Sequence, residues 1–211
     1  RWPATPLSIL LLMSVLGVPS AVAAQSEPVL HLPFACGEIW HASTREGHGA
    51  LGGSGYYAVD WNHYDEKGNP DDRGRQVLAG ADGGTVVKVD RAIADANGDG
   101  ILDRSDYGNY VIVRYGEGEA AVELLFAHLG TVAVSEDAKP GSIMADTVIG
   151  TVGADGIRNS TTGRNDSSAY HLHYEQRVDG KPRQVVFEGR TLSIGEATEQ
   201  VDITNDHDDL K

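Results

Sequence analysis

Short runs of β-branched and aromatic residues, several alternating with polar ones, recur along the chain. Residues 56–61, 83–89, 109–115, 121–129, 147–152, 170–178 and 184–187 each have the length and composition of a strand. Gly116-Glu117-Gly118-Glu119 separates two of these runs and Asp179-Gly180 the last two, so both junctions read as hairpins. Residues 36–55 form a Gly-rich approach, while 62–76 and 153–168 are polar and read as long loops. No stretch keeps a helical period over ten residues. The pattern predicts a mainly β, antiparallel single domain, with residues 191–211 as a polar, acidic tail that frays.

Composition supports that picture. Glycine occurs 26 times in 211 residues, above the usual share of about 7%, which suits many tight turns between short strands. With 40% hydrophobic and 23% charged residues the chain can fold around one core rather than stay disordered. Lys+Arg 17 against Asp+Glu 31 gives a net charge of -14, which excludes electrostatic binding of nucleic acid. Cys36 is the only cysteine, so neither an intrachain disulfide nor a cysteine metal cluster is available. It reads as a small packed residue.

At the N-terminus Arg1 precedes an apolar run over 7–18, then Ala21-Val22-Ala23-Ala24 and Gln25. This is the pattern of a secretory signal peptide over 1–24, and the run is shorter than the roughly 20 residues that span a bilayer. The expectation is a domain over 25–190, secreted to the extracellular space or periplasm, monomeric and free of membrane after cleavage.

Two groups of polar residues carry candidate chemistry. In His171-Leu172-His173-Tyr174-Glu175 the alternation sends both imidazoles to one face of a strand, so one can bind a metal while its neighbour handles protons. His128 closes run 121–129 and Asp60 closes run 56–61, and such strand ends can assemble a zinc site with an open water position. Separately, Asp95, Asn97, Asp99, Ile101 (through its carbonyl), Asp103 and Asp106 fall at the ligand positions of an EF-hand calcium loop, with Gly100 at the turn. Asp106 stands where a bidentate Glu is usual. Calcium there would be structural, neutralising clustered carboxylates.

The order Asp60 in Ala58-Val59-Asp60, Gly108-Asn109, Ala127-His128-Leu129, Gly150-x-x-Gly153 and His171-Leu172-His173-Tyr174-Glu175 resembles the lysostaphin and LytM type zinc endopeptidases. The resemblance covers roughly residues 30–190 and implies their fold, an antiparallel sheet built on a duplicated hybrid motif. It also implies Asp60 and His173 as zinc ligands, with His128 and His171 as catalytic histidines that do not bind the metal. Many members carry the first ligand His four residues before the Asp, where this chain has Tyr56. Secreted β-lytic and staphylolytic forms have a longer insertion, and His48 in Gly47-His48-Gly49 fits that spacing, ahead of His41 and His63.

The implied activity is a zinc-dependent endopeptidase cutting Gly- or Ala-containing peptides, in peptidoglycan stems or cross-bridges or in other Gly-rich chains. Two alternatives compete with it: an inactive domain of the same fold that binds peptidoglycan or regulates another hydrolase, and a calcium-dependent adhesion module. The presence of both His128 and His171 favours the enzyme.

Overall fold

The computed structural model describes residues 27–43, 57–91, 107–157, 161–164, 166 and 168–192, and the backbone of 201–204. The strands are β1 (Ile39–Ser43), β2 (Val59–Asn62), β3 (Gln76–Leu78), β4 (Thr85–Arg91), β5 (Asn109–Tyr115), β6 (Val122–Ala127) and β7 (Leu129–Val132). They continue with β8 (Val148–Val152), β9 (Leu172–Val178), β10 (Lys181–Arg183), β11 (Val186–Phe187), β12 (Arg190–Thr191) and β13 (Val201–Thr204). Among the described residues the only helical element is one 3-10 turn, Gly118–Ala120.

The main sheet runs β13-β1-β2-β9-β6-β5-β4, with β10 paired to β9, and a smaller sheet runs β3-β8-β7. Every pairing is antiparallel, so the expected fold class is the observed one. Alternation divides the main sheet into two faces. Leu172 and Tyr174 of β9, Leu124 and Phe126 of β6, Val111 and Val113 of β5, and Trp61 of β2 turn into the core beneath the smaller sheet. Phe34 stacks on Trp40 at a centroid distance of 3.7 Å and meets Trp61 edge-on. The opposite face carries Asp60 of β2 with His173 and Glu175 of β9, whereas the buried Gln176 lies on the core face and donates to the Tyr174 hydroxyl at 3.2 Å. Because β9 is the central strand and is covered on both sides, its five residues Leu172 to Gln176 are all buried.

Several boundaries differ from the sequence expectation. The single run 121–129 is broken at His128, whose backbone takes a φ of 58° between β6 and β7. The turn at Asp179-Gly180 forms as expected, but the strand that returns on β9 is β10, ahead of the run 184–187, and Val186 with Phe187 of that run pairs instead with β12. Within the stretch read as an approach, β1 forms beside β2, and β3, which begins where the expected loop 62–76 ends, pairs with β8. The tail contributes β13, paired along β1 from Ile39↔Thr204 to Ala42↔Val201. Its Val201-x-Ile203 alternation suits an edge strand, although the surrounding acidic residues obscure that signal. Cys36 is exposed rather than packed, because it occupies a tight turn with Gly37 at a φ of 84°. The signal segment 1–24, His48, Tyr56 and the calcium loop with Asp95, Asn97, Asp99, Ile101, Asp103 and Asp106 lie outside the described residues.

Candidate active site

Three adjacent strands of the main sheet bring the site together. Antiparallel register places Asp60 of β2 opposite His173 of β9, and His173 opposite Ala127 of β6. Directly opposed residues share a face, and Ala127 leaves room there for the histidines. His171 precedes β9 and is tied to Gly153 by a bridge between their backbones. A Cβ on Gly153 would overlap the backbone of Gly130 and the carbonyl of His128, so glycine allows the two histidine-bearing segments to close on each other. The His128 ring centroid lies 4.9 Å from that of His171 and 5.6 Å from that of His173.

Hydrogen bonds fix which nitrogen of each ring faces the site. His128 Nδ1 lies 2.8 Å from the carbonyl of Asp155, and His171 Nδ1 lies 3.0 Å from the carbonyl of Ala169. A carbonyl only accepts, so Nδ1 carries the proton in both rings, and Nε2 is the basic nitrogen of each ring when neutral. The left-handed backbone of His128 is held by its N–H, which donates to the carbonyl of Tyr107 at 2.9 Å. Such a conformation at a bulky residue costs energy that these contacts offset.

His173 is held from both sides. Its Nδ1 lies 3.1 Å from Asp60 Oδ1 and its Nε2 3.1 Å from Glu175 Oε1, while His171 Nε2 is 3.5 Å from the same Asp60 oxygen. Glu175 in turn accepts from the Tyr107 hydroxyl at 2.7 Å and from Arg177 Nε at 2.7 Å. Sequence reasoning stopped at the two histidines and gave no role to Glu175, Tyr107 or Arg177. The same two-residue alternation that pairs His171 with His173 could have found Glu175 and Arg177, whereas Tyr107 reaches them only through the fold.

These contacts set the charges. Burial opposes a proton on His173, but the hydrogen bonds and charges of Asp60 and Glu175 outweigh it and raise its pKa to about 9. Burial likewise opposes charge on Glu175, yet His173, Tyr107 and Arg177 hold its pKa down at about 2. For His128, burial and then the neighbouring His171 and His173 lower the pKa to about 3. It therefore stands neutral near pH 7, with Nε2 able to accept a proton. The Tyr107 hydroxyl is pushed up by burial and by Glu175 and stays protonated.

The donor chemistry fits zinc. A carboxylate oxygen and an imidazole nitrogen meet at Asp60 and His173, and the other nitrogen of that imidazole is anchored on a carboxylate, the arrangement that orients metal-binding histidines. Among the described residues no group of three His, Cys, Asp or Glu side chains completes a metal position, and the expected third ligand, His48, lies outside them. His63 packs edge-on to Trp40 and lies 3.7 Å from Asp71, and His41 packs against Tyr64. His41 opposes Asn62 two positions along from Asp60 and shares its face.

Comparison with known proteins gives a consistent picture. The DD-carboxypeptidase/endopeptidase Mpg of Neisseria meningitidis serogroup B is 37% identical over 91 residues, covering 41% of this chain and 17% of that protein. The chain thus spans less than a fifth of the length of the curated relatives it matches. Among solved structures, a variant catalytic domain of the prophage-encoded M23 protein EnpA from Enterococcus faecalis aligns with a TM-score of 0.43 at 15% identity, covering 72% of this chain and 92% of that one. A zinc-containing peptidase from Vibrio cholerae aligns with a TM-score of 0.44 at 17% identity, covering 80% and 41%. Residues 70–185, just over half of the chain, match the family described as Peptidase family M23, and the chain belongs to that family.

Proposed function

We propose that this protein is a secreted zinc endopeptidase that hydrolyses Gly- or Ala-containing peptides of peptidoglycan, with His48, Asp60 and His173 holding the metal. Family membership and the likeness to Mpg support the coarser statement, a peptidase related to peptidoglycan. The observation that carries the finer one is the convergence of Asp60 and His173 beside two histidines whose Nδ1–H groups are each held by a backbone carbonyl.

Zinc, when bound, supplies a Lewis acid for the peptide carbonyl and lowers the pKa of water at the site. His128, neutral near pH 7, accepts a proton at Nε2 while the Asp155 carbonyl keeps its Nδ1–H in place. His171, its Nδ1–H held by the Ala169 carbonyl, hydrogen-bonds the developing oxyanion through Nε2 when protonated or returns a proton to the departing amine. Glu175 holds His173 through Nε2, so that Nδ1 is the nitrogen directed at Asp60. Both proton-handling histidines are oriented, which a pure binding module does not require.

The reading also includes secretion through residues 1–24 and a structural calcium ion in the loop 95–106, both resting on sequence pattern alone. The test is metal analysis of the purified protein combined with cleavage of Gly- and Ala-containing peptides and of isolated peptidoglycan. About one zinc per chain with chelator-sensitive cleavage is the expected result. Absence of zinc after incubation with excess metal, or zinc with no cleavage of any peptide, overturns it.

A further inference from the structure

A groove of about 360 Å³ lies along β7 and β8 of the smaller sheet. Its walls include Gly130, Thr131, Gly153, Asp155 and Tyr170, and its rim carries Arg73. Tyr170 adjoins His171 in the chain and Gly153 is bridged to it, so two lining residues neighbour a site histidine, although none of the three histidines lines the groove itself. Gly130 is exposed along it, while Gly153 is buried against the Gly130 backbone.

Among the described residues Arg73 is the only cationic side chain lining this groove. Its guanidinium lies over the Tyr170 ring, 5.0 Å from the centroid, and among the described residues it makes no ion pair. The nearby carboxylates are occupied elsewhere. Asp71 pairs with Arg75, the buried Asp72 accepts from Asn62 at 3.0 Å, and Asp155 Oδ2 accepts from the Asn109 backbone N–H at 2.8 Å. The backbone on both sides of Arg73 is fixed. The Gly74 N–H donates to the Val152 carbonyl at 2.9 Å, the Val152 N–H donates to the Arg75 carbonyl at 2.8 Å, and Asn62 ties Asp72 to the Tyr170 carbonyl. A planar cation stacked on an aromatic ring and carried on an anchored turn is pre-organised for a carboxylate, which it can engage with two parallel N–H bonds.

We propose that Arg73 is the carboxylate-binding group of a substrate subsite in this groove. The preferred peptide then carries a carboxylate on one side of the bond that is cut, supplied either by a chain terminus or by an acidic side chain. In a protein of net charge -14, which repels anionic peptides at long range, such selectivity depends on this local contact. The inference rests on the peptidase reading above.

The test uses the zinc-loaded full chain and its Arg73→Gln and Arg73→Lys variants on matched peptides of one Ala- and Gly-containing sequence. One pair differs in a free or amidated C-terminus, the other in an interior Glu or Gln. The parent should cleave the carboxylate member of one pair with a kcat/KM at least about tenfold above its neutral partner, and the responding pair identifies the source. Arg73→Gln should abolish the preference, largely through KM, and Arg73→Lys should retain part of it, with melting temperatures unchanged because the side chain is exposed. Equal efficiency within both pairs, or a preference that survives in Arg73→Gln, overturns the subsite. Calorimetric binding of the same peptides separates the two readings: carboxylate-selective binding that needs Arg73, without cleavage, upholds the subsite and overturns the peptidase. Absence of both binding and cleavage overturns both.

Discussion

Glu175 Oε1 lies 3.1 Å from His173 Nε2, on the far side of the ring from Asp60. A metal-binding imidazole must present a bare nitrogen to the ion, and a carboxylate on its other nitrogen fixes that tautomer and raises its basicity. Glu175→Gln, which keeps the shape, and Tyr107→Phe, which removes a donor to Glu175, should weaken zinc binding, with a loss for Glu175→Ala on the order of 10–100-fold. Competitive titration with a chromophoric chelator reads this without reference to turnover. Unchanged affinity in Glu175→Ala would remove the orienting role.

His128 and His173 should separate by phenotype. His173→Ala removes a proposed ligand and should lose both zinc and activity. His128→Ala should keep zinc and lose roughly 10²–10⁴-fold in kcat, the usual worth of a proton-transfer group. Full turnover by His128→Ala would take that residue out of the reaction.

The metal-free protein should be most stable near pH 6.5. An unfolded histidine titrates near 6.5, whereas folded His128 takes its proton only near 3. Between those values the unfolded chain binds more protons and stability falls with falling pH. Glu175, held at about 2 against 4.5, adds to the loss at the acid end. Folded His173 keeps its proton up to about 9, so its contribution is complete below 6.5 and is lost as pH rises towards 9. Melting temperatures of chelator-treated protein from about pH 3 to 10 give the check, and a steady climb between 6.5 and 9 would contradict the His173 assignment.

Gly153→Ala should damage fold and function together, because the added carbon meets backbone of Gly130 and His128 rather than a side chain that can swing away. Overpacking of this kind costs roughly 1–3 kcal/mol, readable as a lower urea midpoint. Activity should fall further than stability, since the segments that separate carry His128 and His171. A midpoint equal to the parent's would show that the contact relaxes freely.

For the loop 95–106 the expected result is a calcium-dependent rise in melting temperature that Asp99→Ala abolishes while leaving zinc content intact. A shift of the same size in the variant would end the calcium assignment.

The residues themselves fixed a good deal. Two-residue alternation in β9 already placed His171 and His173 on one face, and β-branched runs with glycine turns pointed to the antiparallel class, the β5–β6 hairpin and the reversal at Asp179-Gly180, though not to β10 as the strand that returns on β9. These are local properties: periodicity decides which face a side chain takes, and turn residues decide where a chain reverses. What the sequence left open was non-local. Asp60 meets His173 across 113 residues only because β2 pairs with β9 in one register. A one-residue slip would send the carboxylate into the core. The break at His128, the capture of β13 by β1 and the support of Glu175 by Tyr107 likewise depend on partners distant in the chain. Arg73 looks like any surface arginine until the turn that carries it is fastened beside Tyr170. Local alternation assigned the faces of the strands, and long-range pairing, whose energy comes from burying the shared core, assembled those faces into a site.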